Sequence, residues 1–140
     1  MNKLIVLVCT LFLSVLSFNS FAAVVVIANP AFDADLDKAD VRKYFLGKTH
    51  QLPNGEKVKL YDLPLNNAAR ETFRENVLRK TESRLNAHWA RMLFSSKAQL
   101  PEMVSSVDEL KEIISQTPNA LGYMDSVDVD SSVKVILTLD

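Results

Sequence analysis

Asparagine and arginine side chains beside two predicted loops are the residues of this sequence best suited to bind an anion. Asn29 ends the first predicted strand, whereas Asn66 and Asn67 stand at the predicted start of a helix that carries Arg70 in its first turn. Side-chain amides, the backbone N–H groups of a helix start and a guanidinium all donate hydrogen bonds to oxyanions. We therefore predict a small-anion site at these four residues, with backbone amides making most of the contacts.

Two further loops offer donors at a helix end, residues 31–35 and residues 47–49 (Gly-Lys-Thr). The first is acidic, because Asp33 and Asp35 lie within it and Asp37 follows, and this charge opposes an anion. Ordinary helix capping and solvation is the simpler interpretation of all three places. Arg70 and the other helix arginines are expected on solvated faces, where they pair with acidic neighbours: Arg74, Arg84 and Arg91 with Glu71, Glu75 and Glu82.

The sequence contains no catalytic or nucleotide-binding motif of known spacing. Glycine occurs only at positions 47, 55 and 122, too sparsely for a glycine-rich phosphate loop. A zinc site would need both histidines, His50 and His88, together with carboxylates. A surface histidine and a helix-packing histidine are the simpler interpretation. We expect no enzymatic activity, no metal and no cofactor.

Residues 1–22 have the pattern of a secretory signal peptide. Lys3 gives a positive start, residues 4–18 form an apolar run, and Ser20-Phe21-Ala22 places small residues before a cleavage point. The run is shorter than the ~20 residues that a membrane span requires. We predict cleavage after Ala22, a periplasmic location, and a single domain over residues 23–140.

Composition bounds what the exported part can do. Residues 1–22 carry one charged residue, Lys3, so 15 basic and 17 acidic residues remain in the other 118. This near balance, with charges interspersed, gives no field that would favour nucleic acid or an acidic membrane surface. The sole cysteine, Cys9, falls within the signal, so the core alone must stabilise the domain.

The chain is predicted to fold as a small three-layer α/β domain. Residues 24–30 (Val-Val-Val-Ile-Ala-Asn-Pro) predict a strand buried on both faces, of the kind found in mostly parallel sheets. Ligands of such sheets bind beyond the carboxyl ends of the strands. The predicted order is β-α-β-α-α-α-β-β, with later strands over residues 58–63, 119–124 and 133–139 and helices over 38–46, 67–79 and after Thr81 and Ser106.

Side-chain patterns add local expectations. Asp37 with Asp40, and Ser106 with Glu109, predict capping boxes. Gly47 is expected to end the first helix, and Gly122 to allow another backbone to approach a strand. The remaining expectations concern the core: Leu85, Trp89, Met92 and Leu93 on one helix face, and Val133, Val135, Leu137 and Leu139 on one side of the last strand.

Four segments together carry a family resemblance. They are the strand at residues 24–30, then 41–49 (Val-Arg-Lys-Tyr-Phe-Leu-Gly-Lys-Thr), 88–94 (His-Trp-Ala-Arg-Met-Leu-Phe) and 120–124 (Ala-Leu-Gly-Tyr-Met). In this order the chain resembles the short phosphate ABC transporter substrate-binding-like proteins. The resemblance implies one lobe of a type II periplasmic binding protein, a small anion such as phosphate as ligand, and a membrane transporter or sensor as partner.

The loop residues differ from those of full-length phosphate-binding proteins. Where such proteins have an arginine and a Ser-Gly-Thr loop, this chain has residues 61–69, Tyr-Asp-Leu-Pro-Leu-Asn-Asn-Ala-Ala. Two functions are therefore weighed. The first is a non-enzymatic solute-binding-like protein associated with phosphate or other small-anion transport. The second is a periplasmic interaction or sensing module that kept the fold and lost tight ligand binding. A homodimer would be compatible with either function.

Overall fold

The computed structural model describes residues 23–95 and 99–139, and within them the chain forms a mixed α/β fold around one five-stranded sheet. The predicted signal peptide, residues 1–22, lies outside the described residues. The strands are β1 Val24–Ala28, β2 Lys59–Asp62, β3 Glu102–Met103, β4 Ala120–Asp125 and β5 Lys134–Leu139, and the helices are α1 Lys38–Phe45, α2 Ala68–Phe73, α3 Glu82–Phe94 and α4 Val107–Gln116.

The sheet has the order β3-β2-β4-β1-β5, and its strand directions correct one expectation. All five residues of β1 are buried, as its apolar run predicts. However, β1 runs antiparallel to both β4 and β5, whereas β2 runs parallel to β3 and β4. The expectation of a mostly parallel sheet was therefore wrong for β1. A strand that helices bury on both faces has the same apolar sequence pattern whether it pairs in parallel or antiparallel.

Helices cover both faces of the sheet, which confirms the three-layer architecture. Successive residues of a strand point to opposite faces. At Gly122 of β4, an added Cβ would lie 2.8 Å from Ile114 Cδ1, so α4 covers that face. At the next residue, the ring of Tyr123 stacks on Phe73 of α2 at 3.9 Å between centroids. Gly122 is thus structural as predicted, although it admits side chains of α4 and not another backbone.

Helix caps follow the sequence closely. Asp37 and Asp40 form the predicted capping box of α1, and the side chains of Asn67 and Thr81 cap α2 and α3. Gly47 has φ +72° and ends α1 in a Schellman motif, in which Lys48 N donates to Lys43 O.

The α4 capping box forms only in part. Ser106 accepts from Glu109 N, but the Glu109 carboxylate turns to Ser105 N and Oγ instead of Ser106 N.

Several boundaries and faces differ from the predictions. The short strand β3 was not predicted, since two exposed residues carry no periodic signal. Leu93 is 55% exposed at the end of α3, so it does not share the buried face of Leu85 and Trp89. In β5 the register with β1 shifts between Val26 and Ile27. This bulge turns Val135 outward, 40% exposed, and breaks the predicted alternation.

The predicted second helix also changes character along its length. After α2, residues Arg74–Leu78 form a π-helical turn, and Arg79 then takes a left-handed conformation with φ 53°. The inward stripe of Ala69, Phe73 and Val77 is nevertheless buried as predicted. Among the described residues, no helix combines the length and the apolar character needed to cross a membrane.

Candidate functional site

The centre of the site is the guanidinium of Arg70, which lies between two carboxylates. Its Nη1 and Nη2 donate to the two carboxylate oxygens of Glu82 at 2.7 and 3.1 Å. On its other side, Arg70 Nε lies 3.5 Å from Asp62 Oδ2 without making a hydrogen bond. Arg70 is only 7% exposed, so a residue predicted on a solvated face is in fact buried among charges.

Tyr123 connects this ion cluster to the aromatic core. Its hydroxyl donates to Asp62 Oδ1, which also accepts from the backbone N of Leu63. The ring is fixed between Phe73, which stacks on it, and Phe45, which meets it edge-on at 5.9 Å between centroids. The position of the Asp62 carboxylate is therefore set by the core.

Burial and pairing move the proton affinities of these groups in opposite directions. Desolvation raises the pKa of Asp62, although the Tyr123 hydrogen bond and the Arg70 charge oppose the change. The hydrogen bonds from Arg70 lower the pKa of Glu82. Desolvation, followed by the Asp62 charge, raises the pKa of the Tyr123 hydroxyl, so this group keeps its proton at physiological pH and donates a hydrogen bond to Asp62.

Arg74 extends the cluster toward solvent. Its Nε lies 3.2 Å from Glu82 Oε2, and its Nη1 donates to Lys80 O at 2.7 Å. The π-helical turn and the left-handed Arg79 connect α2 to α3. Across this connection Glu82, in the first turn of α3, contacts both Arg70 and Arg74.

Asn29 uses its side chain inside the protein. Its Nδ2 donates to Ile114 O and Ser115 O near the end of α4, and its Oδ1 accepts from Ala31 N. The residue is 8% exposed. Asn29 thus ties the loop after β1 to α4.

The sheet separates Asn29 from the other three predicted site residues. Ala28 at the end of β1 and Leu60 near the start of β2 both pair with Leu121, at the beginning of β4. The loop after β2, which holds Asn66 and Asn67, therefore leaves from the opposite end of the sheet to Asn29. A six-residue strand spans about 20 Å. Only Asn66, Asn67 and Arg70 can contribute to one site, and ligand binding by them stays a prediction.

Asn66, Asn67 and Arg70 differ in how available their side chains are to a ligand. Asn66 is exposed, whereas Asn67 Oδ1 accepts from Ala69 N as the cap of α2. A cavity of about 10 Å³ lies beside Asp62, Arg70, Arg74 and Tyr123. That volume holds about one water molecule, so it cannot enclose a phosphate ion.

The remaining polar candidates lie elsewhere. His88 contacts Leu46 O at 2.8 Å through Nε2, which confirms it as a helix-packing residue, and His50 borders an open groove of about 660 Å³ along the start of β2. Within residues 23–95 and 99–139, no three histidine, cysteine or acidic side chains are grouped to hold a metal. Asp33 lies on another open groove, with Glu56 nearby, so acidic residues flank the loop after β1.

Comparison with solved structures places this architecture. No protein-family model matches the sequence, and no curated protein matches it either. An ABC-type phosphate transport receptor from Vibrio cholerae superposes with a TM-score of 0.66 at 16% identity over 82% of this chain. The fold is similar to part of a phosphate-transport binding protein. A phosphate ABC transporter substrate-binding protein from Clostridium perfringens, solved with bound phosphate, also gives 0.66 at 16% identity and 82% coverage.

The likeness covers less than half of these neighbours. The chain spans 45% of the Vibrio protein and 44% of the Clostridium protein. A third neighbour, PstS from Borrelia burgdorferi, gives a TM-score of 0.58 at 16% identity; the match covers 75% of this chain and 41% of PstS. The predicted resemblance to a lobe-like portion of such proteins is confirmed at the level of the fold.

Arg70 was predicted as a site residue from the sequence, whereas most of the residues around it were not. Asp62 ends β2 and Tyr123 lies within β4, and nothing in the sequence distinguishes either residue from other strand residues. Glu82 was expected to pair with a helix arginine, and it does so. The available signal for the cluster was the position of Arg70 beside the inward stripe, since Arg70 follows Ala69 directly and precedes Phe73 by three positions.

Proposed function

We propose that this chain is an exported, periplasmic, non-enzymatic protein that keeps a solute-binding fold and acts as an interaction or sensing module linked to small-anion transport. One observation carries the proposal. The buried guanidinium of Arg70, which is the strongest donor of the predicted anion site, is already bound by the carboxylate of Glu82 and lies beside that of Asp62. An incoming anion must compete with these groups, so its binding is weak.

A second candidate function is direct binding of phosphate or a related anion for a membrane transporter. The similarity to phosphate-transport proteins favours it. In this version Asn66, Asn67 and Arg70 contact the ligand, and Asn29 supports the fold from the other end of the sheet. The partner would be a membrane transporter or sensor that accepts the loaded protein.

The shape of the molecule bears on the choice between the two functions. Tightly bound small ligands have about 70–90% of their surface buried. The described residues form one α/β unit around one sheet, which offers a ligand a single wall. A second wall would come from a second copy of the chain or from a membrane partner. Without it, a bound anion keeps much of its water, which weakens its attraction to Arg70.

A thermal-shift screen of the exported form tests the proposal. The probes are inorganic phosphate, sulfate and small organic anions at equal ionic strength. A ligand present at 100 times its dissociation constant adds about 2.7 kcal/mol to stability, or on the order of 10 °C for a domain of this size. We expect shifts of under about 2 °C at 1 mM anion. A shift near 10 °C for one anion at that concentration would instead favour the second function.

A further inference from the structure

The carboxylate of Glu82 is held in the way that proteins hold a free oxyanion. Oε2 lies 2.7 Å from Arg70 Nη1 and 3.2 Å from Arg74 Nε, and Oε1 accepts from Arg70 Nη2 at 3.1 Å. Arg70 thus donates two hydrogen bonds to one carboxylate, and Arg74 Nε lies within ion-pair distance of the same group. Paired, planar arginine donors of this kind are the usual recognition element for carboxylates and phosphates.

The donors are fixed by the protein, whereas the carboxylate that they hold is accessible. The side chains of Arg70 and Arg74 are 9% and 15% exposed, but that of Glu82 is 42% exposed. Contacts other than Glu82 position both arginines: Asp62 lies beside Arg70, and Lys80 O accepts from Arg74. The two guanidiniums therefore remain in place if the Glu82 side chain rotates into solvent.

The charges around the arginine pair, Arg70 and Arg74, cancel only while Glu82 is present. Asp62 and Glu82 balance the two arginines, and Glu75, 3.9 Å from Arg74 and 59% exposed, is the remaining acidic group that faces them. When the Glu82 carboxylate leaves, the buried part of the cluster has one net positive charge. A buried positive charge without a partner is unfavourable, so a replacement anion is favoured there.

We propose that Glu82 is an internal occupant of an oxyanion site, and that phosphate, sulfate or the carboxylate of another molecule binds the arginine pair by displacing it. This inference rests on the proposed function and deepens it, because it identifies Glu82 as the group that makes anion binding weak. The apparent affinity is reduced by the fraction of time for which Glu82 leaves the site open. If Glu82 occupies the site nine-tenths of the time or more, its removal strengthens binding by about tenfold or more.

The backbone beside Glu82 is consistent with a controlled contact. Arg79, three residues before it, is the one residue other than glycine with a positive φ among the described residues. Such strained positions concentrate at functional sites and switch regions. The strain lies in the turn that sets the position of Glu82 against the arginine pair.

The test compares inorganic phosphate binding by the exported protein and by its Glu82→Ala variant, using isothermal titration calorimetry at fixed ionic strength. We expect the variant to bind phosphate at least tenfold more tightly, and sulfate or acetate to compete. Glu75→Ala is the matched control, because it removes the same charge beside the same Arg74 without vacating the site. We expect it to change the affinity by less than threefold. Adding Arg74→Ala to Glu82→Ala should abolish the gain.

The outcomes separate this inference from the proposed function. A folded Glu82→Ala protein with unchanged phosphate affinity overturns the inference, even if the parent binds weakly as proposed. Submicromolar binding by the parent overturns the proposed function. If Glu82→Ala is unstable, Glu82→Gln is tested by thermal shift, and 10 mM phosphate should raise its melting temperature more than it raises that of the parent. If neither variant folds in phosphate, Glu82 is a structural brace and the inference is wrong.

Discussion

Replacement of Arg70 by methionine probes the ion cluster that Arg70 forms with Asp62 and Glu82. The substitution keeps most of the side-chain volume but leaves the Asp62 carboxylate without its cation. Asp62 is partly shielded from water and its pKa is already raised by desolvation. Removing one partner of a buried ion pair costs about 3–5 kcal/mol. Glu82 is affected less, because Arg74 Nε remains 3.2 Å away.

The expected loss is large enough to measure by urea denaturation and by thermal melting. Unfolding of roughly 115 ordered residues has an entropy of about 0.24 kcal/mol/K, so 1 kcal/mol corresponds to about 4 °C. We therefore predict that Arg70→Met lowers the melting temperature by about 12–20 °C at pH 7. Adding Asp62→Asn should recover part of the loss, since a neutral amide still accepts the Tyr123 hydrogen bond. Arg91→Met, on the exposed surface of α3, should change stability by less than about 0.5 kcal/mol. A loss below about 1 kcal/mol for Arg70→Met would refute the argument.

Three further predictions test the core, the proton affinities and export. Trp89 is 9% exposed, so Trp89→Ala should cost about 3–5 kcal/mol in urea denaturation; a melting point within 2 °C of the parent would show that it is not a core anchor. Glu82 has a lowered pKa in the folded state, so its contribution to stability should be lost as pH drops below about 4.5, its ordinary value. Asp62 has a raised pKa in the folded state, so its protonation should instead increase stability as pH drops. Glu82→Gln should therefore flatten the acid limb of a pH–stability curve and Asp62→Asn should steepen it, and the reverse order would contradict these assignments. Intact-mass measurement of periplasmic material should give a chain that begins at Ala23, and a mass that retains residues 1–22 would disprove cleavage.

Local features of the fold were predictable because they depend on neighbouring residues. The capping box of Asp37 and Asp40, the left-handed Gly47 and the buried valines of β1 all follow from short-range rules. The direction of β1 did not follow. Its pairing partners, β4 and β5, lie about 90 residues or more along the chain, and no local pattern encodes which way they run.

The candidate site was only partly predictable for the same reason. The choice of Asn29, Asn66, Asn67 and Arg70 assumed that all strand ends meet at one edge, as in a parallel sheet. The antiparallel β1 places Asn29 at the other end. The partners of Arg70 come from β2 and from the start of α3. Their convergence depends on the turn at Arg79. The left-handed conformation of that turn was not predictable, because the residue that adopts it is an arginine and not a glycine.

Calorimetric titration of residues 23–140 with inorganic phosphate, on a preparation shown to be monomeric, tests the central claim most directly. The claim is that one α/β unit with its buried arginine already neutralised cannot hold phosphate tightly. We predict a dissociation constant in the high micromolar range or weaker, on the order of −5 kcal/mol or less favourable. Submicromolar binding by the monomer would contradict the account and would favour direct phosphate binding as the function.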